Sequence, residues 1–354
     1  MKKEQIKVII TGGAGFIGGS LIRKLINDKK YLIYNIDKLG YASDISWIKN
    51  RKDYSKRHFF LNKDLKDKEF IYKLVSDIKP QLIINFAAES HVDRSIETPI
   101  NFIESNIVGT FNLLEAARTY WEGLSIKDKS LFKFIHISTD EVFGSLQECG
   151  KFDENSNYDP RSPYSASKAA SDHLVRSWNH TYGLPTMITN CSNNYGPYQF
   201  PEKLIPLSIL KALNGEKIPL YGNGLNIRDW LFVEDHIDAI MLVAKKGNIG
   251  ESYCIGGSEE KTNKNVLENI CRIMDINCPK DYNHSSLIQK VADRPGHDKR
   301  YAINAQKIKK ELGWAPKINF EEGLKITIEW YLKNLNWCDL VMKNSAYKGK
   351  RLGL

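Results

Sequence analysis

A glycine-rich turn, Gly12-Gly13-Ala14-Gly15-Phe16-Ile17-Gly18, follows directly on the apolar run Val8-Ile9-Ile10 and opens a segment with helical periodicity. Glycines at such a junction permit a tight turn, and they let backbone N–H groups at a helix start approach a pyrophosphate. Both G-x-G-x-x-G and G-x-x-G-x-x-G can be read there. The strand-turn-helix context makes a weak pattern usable and places Gly12, Gly15 and Gly18 against a dinucleotide. Asp37 ends the second apolar run, 19 residues after Gly18. A carboxylate at that point accepts hydrogen bonds from the adenosine ribose and repels a 2′-phosphate, which favours NAD over NADP. A P-loop is excluded because the Gly-Lys-Ser/Thr ending is missing.

Short apolar runs at 7–11, 32–37, 59–61, 81–87, 132–138 and 186–191 alternate with helix-like segments at 16–27, 66–78, 101–118 and 164–182. This β-α-β series predicts a parallel sheet with helices on both faces, right-handed crossovers and ligands at the carboxyl ends of the strands. After Cys191 the pattern loosens into turns and shorter helices at 204–214, 233–245 and 265–274. The expected fold class is α/β: a doubly wound parallel sheet of the Rossmann type with a smaller, mainly C-terminal α/β substrate-binding lobe. Residues 1–192 form the dinucleotide domain, with 231–256 returning to its sheet, and residues 193–230 and 257–354 form the lobe.

Composition narrows the function classes. At 354 residues the chain suits one large domain and a smaller one. No apolar segment approaches the ~20 residues of a membrane span. Met1-Lys2-Lys3 begins like a signal peptide, yet the apolar run after it is too short for one. The six cysteines form no C-x-x-C pair, which argues against a zinc site or a disulfide framework, and a reducing cytoplasm fits best. The net charge of +9 comes from lysines scattered among acids, not from a basic stripe, so nucleic acid is not expected. No metal is expected either.

Ser138-Thr139-Asp140-Glu141, followed by Tyr164-Ser165-Ala166-Ser167-Lys168, supplies a hydroxyl, two carboxylates, a phenol and an ammonium. Such a set can support oxidation and elimination in one pocket. Tyr164 and Lys168 are spaced i, i+4, so on a helix the ammonium is expected beside the phenol. Free tyrosine titrates near ~10, and making it a base at neutral pH takes about 4 kcal/mol. A charge at ~4 Å with an effective dielectric of ~20 supplies about that much. Two adjacent carboxylates suit a division into base and acid, since close like charges and burial keep one of them protonated. Read alone, Y-x-x-x-K is equally a helix turn with a surface lysine, and Asp140-Glu141 a solvated strand end.

These residues, with five further strings, resemble the extended short-chain dehydrogenase/reductase family. The strings are Ala87-Ala88-Glu89-Ser90-His91-Val92-Asp93-Arg94-Ser95, Cys191-Ser192-Asn193-Asn194-Tyr195-Gly196-Pro197, Glu202-Lys203-Leu204-Ile205-Pro206, Asn226-Ile227-Arg228-Asp229-Trp230 and Asp293-Arg294-Pro295-Gly296-His297-Asp298. The closest resemblance is to the members that dehydrate nucleoside-diphosphate hexoses, with dTDP-glucose as the implied substrate and NAD as the cofactor. By position, the resemblance puts Phe16, Ile17, Asp37, Lys38, Asp64, Leu65, Ala87, Ala88, Ser105, Tyr164, Lys168 and Asn194 near the dinucleotide. It puts Ser90, Thr139, Asn193, Lys203, Leu204, Pro219, Tyr221, Arg228, Asn263, Asp293, Arg294 and His297 near the sugar nucleotide.

Arg228 and Arg294 suit that role chemically, because guanidinium forks bind a diphosphate; either is also compatible with a structural ion pair. The resemblance further implies Thr139, Asp140, Glu141, Tyr164 and Lys168 as the catalytic set. It also implies a homodimer through the helices at 101–118 and 164–182. Gly40 stands where the family usually shows threonine, and Phe143 where it often shows tyrosine. A sugar-nucleotide 4-epimerase or decarboxylase shares the glycines, Tyr164 and Lys168, so Asp140 is the residue that discriminates. A non-catalytic NAD-binding module would have lost the tyrosine or the lysine.

Overall fold

The structure, a computed structural model, describes residues 5–49, 56–293 and 296–345. Its centre is a seven-stranded parallel sheet of β1 Ile6–Thr11, β2 Tyr31–Asp37, β3 His58–Asn62, β4 Leu82–Asn85, β5 Lys133–Thr139, β6 Thr186–Cys191 and β10 Ser252–Ile255. The spatial order is β10-β6-β5-β4-β1-β2-β3, so the connections diverge between β1 and β4. Ligand crevices open at such a switch point. Val8 and Ile10 pack into the core on one face of the sheet and Ile9 into the core on the other. That two-sided burial is why the strand reads as a continuous apolar run.

Helices α1 Phe16–Leu25, α10 Val233–Lys246 and α12 Gln306–Leu312 cover the first face with Leu21, Ile22, Ile240, Val243 and Ile308. Helices α3 Lys68–Ile78, α6 Gly109–Glu122 and α8 Pro163–Tyr182 cover the second with Ile71, Val75, Leu113, Ala117 and Val175. Short helices α2 Ser46–Lys49, α4 Val92–Glu97, α5 Pro99–Phe102 and α7 Ile126–Leu131 lie in the connections. Strand β10 pairs in parallel with β6 at the sheet edge.

The remaining chain builds a second core around Tyr195, Ile209, Ile270, Leu324 and Tyr331. It comprises β7 Asn193–Tyr195, β9 Ile227–Phe232 and β11 Glu260–Thr262 in one small sheet, and β8 Ile218–Tyr221 with β12 Ile288–Val291 in another. Helices α9 Leu204–Asn214, α11 Asn263–Asn277, α13 Phe320–Lys333 and α14 Leu335–Ser345 surround them.

One helix differs from the sequence reading. The segment 101–118 is not continuous: a π-helical turn, Ile103–Val108, interrupts it between α5 and α6. Asn106, on that turn, is buried; its Nδ2 donates to Glu89 O at 3.0 Å and Ser167 Oγ at 2.8 Å, and its Oδ1 accepts from Glu89 N at 2.8 Å. An extra residue in one turn suits such a tether, and apolar periodicity does not reveal it. All six cysteines are free. Among the described residues no cluster of side chains suited to hold a metal is present, and no helix is long and apolar enough to cross a membrane.

Candidate active site

A cavity of about 340 Å³ opens at the carboxyl ends of β1, β2, β4, β5 and β6. Every residue predicted for the dinucleotide lines it, from Gly12 through Asp37, Asp64, Ala87 and Ser105 to Asn194. Gly12 has φ +69°, and a Cβ there would meet Ala87 N at 2.7 Å, so the turn requires glycine. A Cβ on Gly18 would lie 2.5 Å from Gly12 O, so glycine also lets α1 start tight against the turn. The N-cap of α1, Gly15, has no side-chain cap. Its first N–H groups can therefore face an anion.

Asp37 is buried; its Oδ2 accepts from Ala14 N at 3.0 Å and its Oδ1 from Leu39 N at 2.8 Å, which ties the end of β2 to the glycine turn. Burial raises its pKa above the ordinary carboxylate value, and these hydrogen bonds oppose the rise. Oδ1 also accepts from Ser43 Oγ at 3.1 Å, so Oδ2, with one partner, keeps capacity to accept from a ribose hydroxyl. An uncapped helix start and a carboxylate at the end of β2 fit a dinucleotide such as NAD.

The acid end is built where β5 runs into a 3₁₀ turn, Asp140–Phe143. Thr139 caps that turn, its Oγ1 accepting from Glu141 N at 3.3 Å and donating to Asp140 Oδ1 at 3.3 Å. Asp140 is buried, and its Oδ2 has no hydrogen-bond partner. Burial first, then Glu141 and Asp229, hold its carboxyl well above the usual range, with Arg228 opposing. These influences favour the protonated form of Asp140, which stands beside the half-buried Glu141.

Tyr164 and Lys168 do share one face of α8, but the expected electrostatics is corrected. The Lys168 ammonium donates to Ile137 O at 2.7 Å and lies 3.3 Å from His136 Nε2, both on β5. Burial pulls Lys168 down to about 8. Tyr164 is held well above its ordinary value, by burial first and then by Glu141 and Cys191; a hydrogen bond with Thr139 works the other way. Residue spacing fixed the shared face but could not show the carbonyl that captures the ammonium.

Of the residues expected near the sugar nucleotide, Ser90, Thr139, Asn193 and Lys203 line the cavity, with Asp140 and Glu141. Lys203 Nζ donates to Ser90 O at 3.2 Å. The other described ones do not line it. Leu204 begins α9, while Pro219 and Tyr221 pair with Gln289 and Val291 of β12. Asn263 N donates to Asn226 O at 3.0 Å, and His297 Nδ1 lies 2.6 Å from Asp293 Oδ1. Arg294 lies outside the described residues. Arg228, which the sequence left between a diphosphate contact and a structural ion pair, is buried under the Tyr301 ring, with NH1 donating to Ile227 O at 2.8 Å and NH2 to Asp298 O at 3.0 Å. This second group adjoins the first at the acid end, where the Arg228 charge acts on Asp140.

One cluster escaped the sequence reading. Tyr41 Oη donates to Glu202 Oε1 at 2.6 Å, and the Arg94 guanidinium sits 3.6 Å over the Tyr41 ring and 3.5 Å from Glu202 Oε2. It joins the loops after β2 and β4 to the segment before α9 at the cavity rim. Arg94 and Glu202 stand in strings singled out above, so the strings held the clue but not the pairing.

Comparisons with known proteins agree with this geometry. A family profile described as GDP-mannose 4,6 dehydratase matches residues 9–327. The chain is 51% identical to dTDP-glucose 4,6-dehydratase 1 of Escherichia coli strain K12 over 352 residues, covering 97% of each. It is 50% identical to the dTDP-glucose 4,6-dehydratase of Xanthomonas campestris pv. campestris strain B100 over 347 residues, covering 98% of each. Among solved structures, the dTDP-glucose 4,6-dehydratase of Streptomyces venezuelae with NAD and dTDP bound superposes with a TM-score of 0.84 at 39% identity, covering 95% of this chain and 100% of that one. The chain therefore belongs to the dTDP-glucose 4,6-dehydratase family, within the extended short-chain dehydrogenases/reductases.

Proposed function

We propose that this chain dehydrates dTDP-glucose to dTDP-4-keto-6-deoxyglucose, with the glycine turn, Asp37 and the other lining residues of the cavity holding NAD. NAD bound there supplies a hydride acceptor for C4 of the hexose and the donor that returns the hydride to C6. Tyr164 takes the proton from the C4 hydroxyl, and Thr139 hydrogen-bonds the same oxygen. Because burial holds the phenol up, its ionisation depends on positive charge brought close, and Lys168 is the protein's own source. The 4-ketone acidifies the C5 hydrogen, which Glu141 removes. Asp140 donates its proton to the departing C6 hydroxyl, and water leaves. Glu141 then reprotonates C5.

The observation that carries this reading is the buried Asp140 carboxyl, with one oxygen unpartnered, next to Glu141 and Tyr164 in one cavity wall. A 4-epimerase has no need of such an acid. Ser90, Asn193 and Lys203 on the cavity wall bind the sugar nucleotide, and Leu204, Pro219, Tyr221, Arg228, Asn263, Asp293, Arg294 and His297 of the second lobe extend its site. In this reading residues 1–192 with 231–256 carry the cofactor, and 193–230 with 257–354 carry the substrate.

The chain pairs as a homodimer through α5, the π-turn, α6 and α8, which leave Ile100, Ile103, Val108, Phe111 and Tyr182 exposed. It works in the cytoplasm, in keeping with six free cysteines. Separate incubations with dTDP-, UDP- and CDP-glucose, followed by product mass, test the activity. Loss of water from dTDP-glucose is expected, and no dehydrated keto product from any of the three overturns the reading.

A further inference from the structure

We propose that Asp172 is a positioning residue: the buried counter-ion of the Lys168 ammonium, one helical turn behind it on α8, with the His136 ring between them. The inference rests on Lys168 acting as a cation in the reaction above. Lys168, Asp172 and His136 are buried. His136 Nε2 lies 3.3 Å from Lys168 Nζ and 3.4 Å from Asp172 Oδ1.

The ring's role follows from its other side. Thr11 Oγ1 donates to Asn85 Oδ1 at 2.6 Å, which turns Asn85 Nδ2 toward His136 Nδ1 at 3.1 Å. Assigned from this network, Nδ1 accepts and Nε2 carries the proton, which it gives to Ser171 Oγ at 3.2 Å, while Asp172 Oδ1, without a hydrogen bond of its own, lies 3.4 Å away. The ring therefore offers Lys168 no lone pair. Burial and the neighbouring ammonium together hold His136 well below its ordinary value, so it adds no second positive charge.

The surroundings of Lys168 leave one source of negative charge. From β5 it meets Ile137 O and the neutral ring; from β6 it faces the Cys191 thiol, pushed up to about 12 and so neutral. From its own helix Asp172 acts on it, while Tyr164, one turn before it, is a phenol that burial holds up. Asp172 is equipped to stay ionised while buried: its Oδ2 accepts from Ser138 Oγ at 2.7 Å, Tyr158 Oη at 2.8 Å and Asn190 Nδ2 at 3.3 Å. Arg176 NH2 donates to Tyr158 Oη at 3.1 Å. Burial raises Asp172, and Lys168 and these hydrogen bonds oppose it. An ammonium buried with only a carbonyl and a neutral ring beside it would lose its proton near neutral pH.

Nitrogen NMR of the lysine side chains in the NAD-loaded enzyme tests this directly. Asp172→Asn keeps the shape and an acceptor for Ser138 and Tyr158. It is expected to lower the Lys168 titration midpoint by ~1–3 pH units, and the alkaline limb of kcat/KM should move with it. A folded D172N enzyme whose Lys168 midpoint is unchanged overturns the proposal. Should the variant not fold, carbon NMR of the wild-type aspartates decides: Asp172 ionised at pH 7 supports the role, and Asp172 protonated at pH 7 overturns it. A shifted midpoint in an enzyme that dehydrates no nucleotide hexose supports the counter-ion and overturns the reaction assigned above.

Discussion

Trp337 Nε1 donates to Asp44 Oδ2 at 2.8 Å, a hydrogen bond between residues 293 positions apart that joins α14 to the loop over the cavity. Asp44 also bonds Ala14 O through its backbone N–H at 2.8 Å, and its Oδ1 accepts from Ser46 N at 2.8 Å. Gly40, Tyr41, Ala42 and Ser43, just before it, line the cavity. A hydrogen bond to a charged acceptor contributes about 2 kcal/mol. Trp337→Phe is expected to lower the unfolding free energy by about that amount in urea titration, and to speed the release of bound NAD. An unchanged denaturation midpoint would show that the bond holds nothing.

Gly323 on α13 lies against the fully buried Tyr195 at the end of β7, and a Cβ there would stand 2.2 Å from the Tyr195 hydroxyl. Alanine gains about 1 kcal/mol over glycine within a helix. Overpacking costs about 1–3 kcal/mol, and pushing the Tyr195 hydroxyl off Phe320 O adds about 1 more. The clash wins, so Gly323→Ala is expected to be destabilising by roughly 1–3 kcal/mol in a thermal or denaturant melt. Since Asn193 and Asn194 precede Tyr195 in the cavity wall, substrate KM should rise as well.

Asp229 gives stability a pH dependence. Its carboxyl is buried and pushed up to about 6 from 3.8, with burial the main cause and a hydrogen bond from Glu259 N opposing. A raised carboxyl favours the folded state most below pH 3.8, and that advantage is lost as pH rises through about 6. The loss amounts to about 3 kcal/mol. Asp229→Asn retains an acceptor for Glu259 N and does not titrate. The stability difference between D229N and wild type, measured by denaturant titration at pH 4 and at pH 7, should change by roughly 2.4 kcal/mol in favour of the variant.

Asp140→Asn removes the proton that the departing hydroxyl needs but leaves Tyr164 and Thr139 in place. The elimination step should slow by about 10²-fold or more, and C4 oxidation should slow much less. In rapid-quench mass spectrometry the variant is then expected to accumulate the undehydrated 4-ketone. Equal slowing of both steps would remove Asp140 from the role of acid.

Much of this was legible in the residues. The β-α-β alternation works because strands covered on both faces, such as Val8-Ile9-Ile10, read as unbroken apolar runs, and the Asp140–Glu141 acid pair sits at the strand end where spacing put it. What escaped depends on pairing between distant segments. Local periodicity shows neither the π-turn at Asn106 nor the capture of Lys168 by Ile137 O, since each is decided by a neighbouring element. The Tyr41–Glu202 contact spans 161 positions, and α14 reaches Asp44 from the far end of the described chain. Arg228 stood between a diphosphate contact and a structural ion pair, because sequence cannot show that its guanidinium reaches the carbonyls of Ile227 and Asp298.

The central claim is that one cavity oxidises C4, expels water across C5 and C6, and returns the same hydrogen to C6. dTDP-glucose carrying deuterium at C4, mixed with unlabelled substrate and turned over by the NAD-loaded enzyme, tests it most directly by mass spectrometry and NMR of the product. The account predicts dehydrated product with deuterium at C6 in molecules that began with it at C4. Deuterium lost to solvent or to free NADH, or scrambled into molecules that began unlabelled, would contradict it.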